Sequence, residues 1–319
     1  MEGQIAHTDH KAWAVAVLSF GIAMTGLQDT FMKYLSGDYP FHQLQVIRSA
    51  IALVIVAAVC AVTGAFAGFK WRGMRPVLLR GLLIGAGSAC YYLSLAAMTL
   101  ADATAIYFAL PLIVAALSGP MIGEEVKPWR WIAASAGFIG VLVTIRPGTS
   151  LFEPAALLTI IATCLYASGN LFTRRIDPKV PPLIIALFSG LSFTAVGLLL
   201  ALIFGTGAFH SEAHPSLAFL TRAWVMPSLR DWGLLIGFAI ATATGFFSYA
   251  EAYRTAPASF IAPFEYSAMI WAVLLGWLVF SDLPSVATVA GSAIIIGSGI
   301  WLGMREWREA RHVGAGVES

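Results

Sequence analysis

Charge is scarce in this chain. Asp, Glu, Lys and Arg make up 11% of its 319 residues, against about 25% in a soluble domain. That excludes an ordinary water-facing globular surface. The net charge is +2, too small to suggest a nucleic-acid partner. Cysteine is scarce as well. Cys60, Cys90 and Cys164 stand far apart inside apolar runs, a pattern that makes neither a disulfide framework nor a zinc site. A Walker A loop and an H-E-x-x-H helix are both missing. The six histidines avoid the helix interiors, apart from His42 at a mouth. The sequence therefore predicts no metal, no cofactor and no enzyme chemistry.

Apolar sequence is what is abundant, at 59% of residues. A helix needs about 20 apolar residues to cross a hydrocarbon layer about 30 Å thick. On that measure the pattern predicts an all-α integral membrane protein. Its first five spans lie near Ala12–Leu35, Phe41–Gly64, Arg75–Met98, Asp102–Ile122 and Trp129–Ile145. Five more lie near Glu153–Thr173, Pro181–Phe204, Asp231–Tyr253, Ala258–Phe280 and Ser285–Arg305. The first lacks a small-residue cleavage site and reads as a retained span, not a signal peptide. The breaks are marked by prolines, as in Gly37-Asp38-Tyr39-Pro40 and Arg146-Pro147-Gly148, because proline cannot continue a helical ladder. The longest break, Gly205–Arg230, holds Leu217, Phe219, Leu220, Trp224 and Val225. It reads either as a short interfacial helix with Trp224 at headgroup level or as an irregular loop.

Lysine and arginine orient the chain. With the N-terminus inside, 14 of the 19 basic residues fall on the cytoplasmic side. Lys33, Arg146, Arg222 and Arg230 fall outside, and Arg48 lies within a helix. Both termini are therefore expected in the cytoplasm of a bacterial cell, with the chain in the inner membrane.

The two halves repeat each other. Gly85-x-x-Ser88-x-x-x-Tyr92 in span 3 is matched by Thr242-x-x-Gly245-x-x-x-Tyr249 in span 8, each position displaced by 157. Gly140 and Gly297 in spans 5 and 10 are displaced by 157 as well. Ala101-Asp102-Ala103-Thr104 resembles Ala256-Pro257-Ala258-Ser259. Spans 4 and 9 carry interior prolines, Pro111 and Pro263, and end at an acid followed by proline, in Glu124-Glu125-Val126-Lys127-Pro128 and Ser281-Asp282-Leu283-Pro284. Because five is odd, the second repeat enters from the opposite side. The expected domains are residues 1–148 and 149–305, two inverted five-helix repeats, with a cytoplasmic tail at 306–319. Inverted repeats are a common plan of secondary transporters, which hold substrate near the midplane.

These features resemble the EamA family of the drug/metabolite transporter superfamily. The resemblance rests on the repeat, the Gly26–Leu35 end of span 1 with Asp29 and Lys33, Arg48 early in span 2, and the glycine-rich spans 5 and 10. It covers nearly the whole chain, although Ser281-Asp282-Leu283-Pro284 lacks the glutamate usual in the family. The resemblance implies a central cavity lined by spans 1, 3, 4, 6, 8 and 9, with spans 5 and 10 at the periphery. Family members export amino acids or carry S-adenosylmethionine, other metabolites and drugs.

Within that frame the polar and aromatic residues become candidates. Thr159, Thr163, Tyr166, Asn170 and Thr173 share one face of span 6, which reads either as a cavity wall or as interhelical hydrogen bonding. Tyr92 in span 3 and Tyr249 in span 8 stand above small residues that leave room beside their rings. Tyr266 and Trp271 in span 9 and Gln28 in span 1 complete the candidate substrate-binding set. Asp29 and Lys33 are four residues apart and able to pair; Asp29 is also the nearest acid for Arg48, and Asp29 with Arg48 reads as an outer gate. The alternative is snorkelling of Lys33 and Arg48 to the headgroups. Glu251 reads as a local partner of Arg254. Glu265 follows Pro263 in span 9 with no cation in the neighbouring turns, so it is a candidate for a substrate ammonium or a coupling proton.

The sequence thus points to a secondary carrier exporting amino acids or related zwitterions, with uptake of a bulkier metabolite such as S-adenosylmethionine, or broad drug export, as alternatives. Its expected partners are a small-molecule substrate and lipid, and its expected state is a monomer or weak homodimer. A cysteine at Ser211 is expected to react with an impermeant thiol reagent in intact cells, and one at Ser319 is not. The reverse pattern overturns the orientation.

Overall fold

The computed structural model describes residues 2–66, 74–123, 127–149, 153–173, 175–177, 179–255 and 264–315. Among them there is no strand. The helices are α1 (Glu2–Leu35), α2 (Phe41–Val62), α3 (Arg75–Leu95), α4 (Leu100–Tyr107), α5 (Leu110–Ile122) and α6 (Pro128–Ile145). They continue with α7 (Ala155–Thr173), α8 (Pro182–Phe204), α9 (Pro215–Thr221), α10 (Leu229–Thr255), α11 (Ala268–Phe280) and α12 (Val286–Ala315). Nine stretches among the described residues are long and apolar enough to cross a membrane, and α11 is a shorter apolar helix. The protein is an all-α membrane protein of about ten spans. The Glu124-Glu125-Val126 turn and residues 256–263, with Pro263 and the Ala256-Pro257-Ala258-Ser259 motif, lie outside the described residues. So does the Arg254 side chain.

Two spans depart from continuous helix. Span 4 divides into α4 and α5 at a turn on Phe108 and Ala109. Pro111 has no N–H to offer the Tyr107 carbonyl, which is where an α-helix would place the bond. The chain tightens there, and the Ala109 N–H donates to the Ile106 carbonyl at 3.1 Å. A second turn falls on Tyr266 and Ser267, just before α11, where the Ser267 N–H donates to the Phe264 carbonyl at 3.0 Å. The helices after the two turns correspond. Both α5 and α11 are 13 residues long, displaced by 158 positions from Leu110 to Ala268 and from Ile122 to Phe280. Each ends in a left-handed residue, Gly123 at φ 75° and Ser281 at φ 59°. The turns also touch: the Phe108 and Tyr266 rings meet edge-on with centroids 5.1 Å apart.

The broadest helix contacts pair α1 with α10, α3 with α7, α6 with α12 and α2 with α8. The α6–α12 pair is a backbone contact. A side chain on Gly140 would stand 2.8 Å from the Gly291 carbonyl, and one on Gly291 would stand 2.6 Å from the Gly140 carbonyl. Gly299-x-x-x-Gly303, a second pair of small residues on α12, takes no part in this contact. Gly299 faces the Tyr266 hydroxyl, and Gly303 has open space beside it.

The long α8–α10 connection does contain a short helix, α9, but it does not lie free in the headgroup plane. Phe219 is buried and meets the Phe41 ring edge-on at 5.8 Å. The Gln43 side chain bonds both the N–H and the carbonyl of Val225, and Arg222 donates to the Ser36 and Gly37 carbonyls. The connection is a cap folded over the ends of α1 and α2. Its apolar ring finds protein, and its backbone groups find side chains instead of water.

Gly140→Val and Gly291→Val are each expected to cost roughly 1–3 kcal/mol through overpacking and to lower the melting temperature in detergent. Gly303→Val is expected to leave it unchanged.

Candidate functional site

The first two turns of α2 are unlike the rest of that helix. His42, Gln43, Gln45, Arg48 and Ser49 are all buried. Arg48 is 3% exposed, a costly place for a cation unless its N–H groups and its charge are both met. Its Nη2 donates to Gln45 Oε1 at 2.6 Å, and its Nη1 to the Tyr92 hydroxyl at 3.1 Å. The guanidinium also lies against three rings, with Cζ 5.0 Å from the centre of Tyr92, 5.0 Å from Phe238 and 5.7 Å from Phe193. Such contacts stabilise a desolvated cation by about 2 kcal/mol. Yet among the described residues Arg48 Nε and Gln45 Nε2 have no protein partner. A buried polar group left dry costs about 1–3 kcal/mol, so this face of α2 is built to meet something polar.

The facing side comes from α1 and α3. Gln28 Nε2 donates to the Tyr92 hydroxyl, the same oxygen that Arg48 uses. The adjacent Tyr91 donates to Asp29 Oδ2 at 3.2 Å. Asp29 and Arg48 are thus held on neighbouring tyrosines and not by a direct ion pair. The expected Asp29–Lys33 pair is also replaced. Lys33 Nζ bonds Asp282 Oδ2 at 2.9 Å and the Met98 carbonyl at 2.8 Å, over the Phe280 ring. Asp282 outcompetes Asp29 because it sits at the end of α11, beside the end of α1. Lys33 therefore does not snorkel to the outer headgroups.

A train of rings extends the cluster. Tyr91 lies 5.6 Å from Tyr92 and 5.9 Å from Tyr107, and Tyr107 meets Tyr166 edge-on at 5.6 Å. Glu265, half-buried on the turn before α11, is in electrostatic reach of Tyr107, Tyr249 and Tyr266. Five spans therefore converge on one aromatic cluster through Gln28 and Asp29, Arg48, Tyr92, Tyr107 and Tyr166, with Glu265 and Tyr249 at its edge.

Other candidates lie elsewhere. Asn170 is exposed, one turn beyond Tyr166 on α7. Tyr266 turns its ring to Phe108, and Trp271 packs with Tyr249 beside Ala14, Leu18 and Ile22 of α1. On the α7 face, Thr159 donates to Ser94 Oγ at 2.8 Å and Thr163 to its own helix at the Thr159 carbonyl. Thr159 thus ties α7 to α3, and Thr163 is satisfied within its own helix. Tyr91, Tyr107, Gln45, Phe193 and Phe238 escaped the sequence reading. One signal was available for α2, where five of the eight residues from His42 to Ser49 are polar in an otherwise apolar span. Among the described residues no group of His, Cys, Asp and Glu side chains would hold a metal ion.

The Lys33–Asp282 contact makes a checkable claim. Lys33→Met and Asp282→Asn, alone and together, are expected to show a coupling of about 1 kcal/mol in thermal or denaturant unfolding, because the pair is only partly buried. Asp29→Asn is expected to show none with Lys33→Met.

Comparison with known proteins fits this geometry. Residues 12–146 match the EamA-like transporter family. The riboflavin transporter of Vibrio cholerae is 28% identical over 302 residues, covering 93% of this chain and 95% of that protein. The S-adenosylmethionine uptake transporter of Rickettsia prowazekii is 23% identical, covering 88% and 89%. The pseudopaline exporter of Pseudomonas aeruginosa is 22% identical, covering 85% and 88%. One crystal structure shares the fold, with a TM-score of 0.58 at 18% identity over 91% of this chain and 98% of the other. With nine long apolar spans among the described residues and transporters as its relatives along nearly the full length, the chain is a membrane transporter, similar over residues 12–146 to the EamA-like transporter family.

Proposed function

We propose that this transporter carries a metabolite with a planar aromatic ring and polar substituents across the bacterial inner membrane by alternating access. The observation that carries the reading is the ring train Tyr92–Tyr91–Tyr107–Tyr166 running beside the buried Arg48. Ring faces suit a flat solute, and the hydroxyls and guanidinium suit its polar edge. Relatives named for riboflavin and for S-adenosylmethionine, both solutes with flat ring systems, support the same class.

Export of amino acids or other small zwitterions is the second reading. It is favoured by a cation, Arg48, and two acids, Asp29 and Glu265, around one space, and by a relative named as an exporter. In that reading Glu265 receives the ammonium; in either reading it is a candidate for proton coupling. The domain plan goes with the proposal: two inverted five-helix repeats, residues 1–148 and 149–305, with both termini cytoplasmic. Its support is the matched length, offset and left-handed end of α5 and α11. The helix contacts add to it. Moving every span five places on exchanges the α1–α10 pair with the α3–α7 pair and returns α2–α8 and α6–α12 to themselves.

The test is counterflow in liposomes containing the purified chain, with labelled riboflavin, S-adenosylmethionine, tyrosine and leucine. Saturable exchange of an aromatic solute with none of leucine is expected, and Tyr107→Ala is expected to abolish it at normal expression. Leucine exchanged as well as the aromatic solutes overturns the aromatic reading in favour of the second. In Glu265→Gln, weaker binding of zwitterions marks an ammonium role. Loss of pH-driven accumulation with exchange intact marks proton coupling instead.

A further inference from the structure

The donors on α2 say more about the solute than the rings do. Gln45 gives its Oε1 to Arg48, which leaves its amide nitrogen without a protein partner. Arg48 spends its two terminal nitrogens on Tyr92 and Gln45, neutral groups both, which leaves Nε without one. Both unmet groups are donors, both side chains are buried, and they lie three residues apart on one face of α2. Among the described residues no carboxylate lies within ion-pair distance of Arg48, and Asp29 accepts from Tyr91. The direct contacts of the guanidinium are ring faces and neutral oxygens, and the Asp29 carboxylate acts on it from beyond ion-pair distance.

From this we infer that Gln45 and Arg48 form a subsite for a carboxylate or similar oxyanion on the transported solute, with the solute's ring against Tyr92 and Phe238. Arg48 Nε and Gln45 Nε2 offer one donor to each of two oxygens of a carboxylate, and charge-assisted bonds of this kind are roughly twice as strong as neutral ones. The pairing also removes both orphaned donors and neutralises the guanidinium in one step. A positively charged solute gains nothing there, since it meets a like charge. His42 lies one turn before Gln45 on the same face, buried near the Trp224 ring at 6.0 Å. The polar face therefore runs from the cap inward to Tyr92. The inference rests on the proposal that an aromatic solute occupies the tyrosine-lined space, and it selects the acidic members of that class.

The test uses the full-length purified transporter and three probes that share one ring: 4-hydroxyphenylacetate, its uncharged amide, and tyramine. Binding is read by calorimetry in detergent. The carboxylate is expected to bind about tenfold more tightly than the amide, and tyramine more weakly than either. Arg48→Gln is expected to erase the carboxylate preference, read as the ratio of carboxylate to amide affinity in the same variant. Gln45→Leu removes one donor without touching the charge, and is expected to weaken the carboxylate several-fold. Should Arg48→Gln fail to fold, Arg48→Lys, which keeps the charge but loses Nε, is expected to shrink the preference. A preference that survives Arg48→Gln, or survives both Gln45→Leu and Arg48→Lys undiminished, overturns the subsite. Equal binding of all three probes sinks the subsite and leaves the aromatic reading standing. Absence of binding by all three sinks both.

Discussion

The structure is organised around a buried cation. Arg48 sits 3% exposed among Tyr92, Phe193 and Phe238, and these contacts draw on four helices. Gln45 comes from its own helix, Tyr92 from α3, Phe193 from α8 and Phe238 from α10. A guanidinium in the interior is tolerated only when its hydrogen bonds and charge are met together. Meeting them fixes where those four helices stand, and with them the tyrosines that α3 carries inward. Removing the charge does more than delete a contact, because the hydroxyl of Tyr92 then keeps only Gln28 as a donor.

A second constraint shapes the same region. Continuous apolar helix has no spare backbone groups and no polar edge to offer a solute. Breaking span 4 at Phe108–Ala109 and turning the chain at Tyr266–Ser267 places irregular backbone beside the aromatic space, where the rings of Phe108 and Tyr266 meet. Such backbone is tolerated at membrane depth only when protein or a water-filled cavity surrounds it. Helices α6 and α12, locked through Gly140 and Gly291, have no such break between the ends that the structure describes. Rigidity and irregularity are thus assigned to different parts of the fold.

Much of the fold was legible in the sequence because hydrophobic length and proline punctuation act locally. The ten expected spans correspond to the helices found, and Pro111 marked the break in span 4 even though the sequence reading treated that span as whole. The site was less legible. Tyr92, Tyr166, Gln28, Asp29 and Arg48 were found because polar or aromatic residues stand out in apolar runs. Their partners were not, because pairing is three-dimensional. Lys33 reaches Asp282, 249 positions away, in preference to Asp29 one turn away, and no spacing rule reports that. Gln45 and Tyr107 were missed for a related reason, since each becomes notable only beside Arg48 or Tyr166. The threonines of α7 left two readings open, because a shared face says which residues travel together but not that Thr159 meets Ser94.

The central claim is that solute occupies the space between Arg48 and the Tyr107–Tyr166 ring pair. The most direct measurement is an electron cryomicroscopy structure of the transporter with the aromatic solute that it exchanges best. The account expects the solute's ring within van der Waals contact of Tyr92, Tyr107 or Tyr166, and its polar edge within hydrogen-bond distance of Arg48 and Gln45. Solute bound elsewhere, with the Arg48 cluster unchanged and closed to it, contradicts the account.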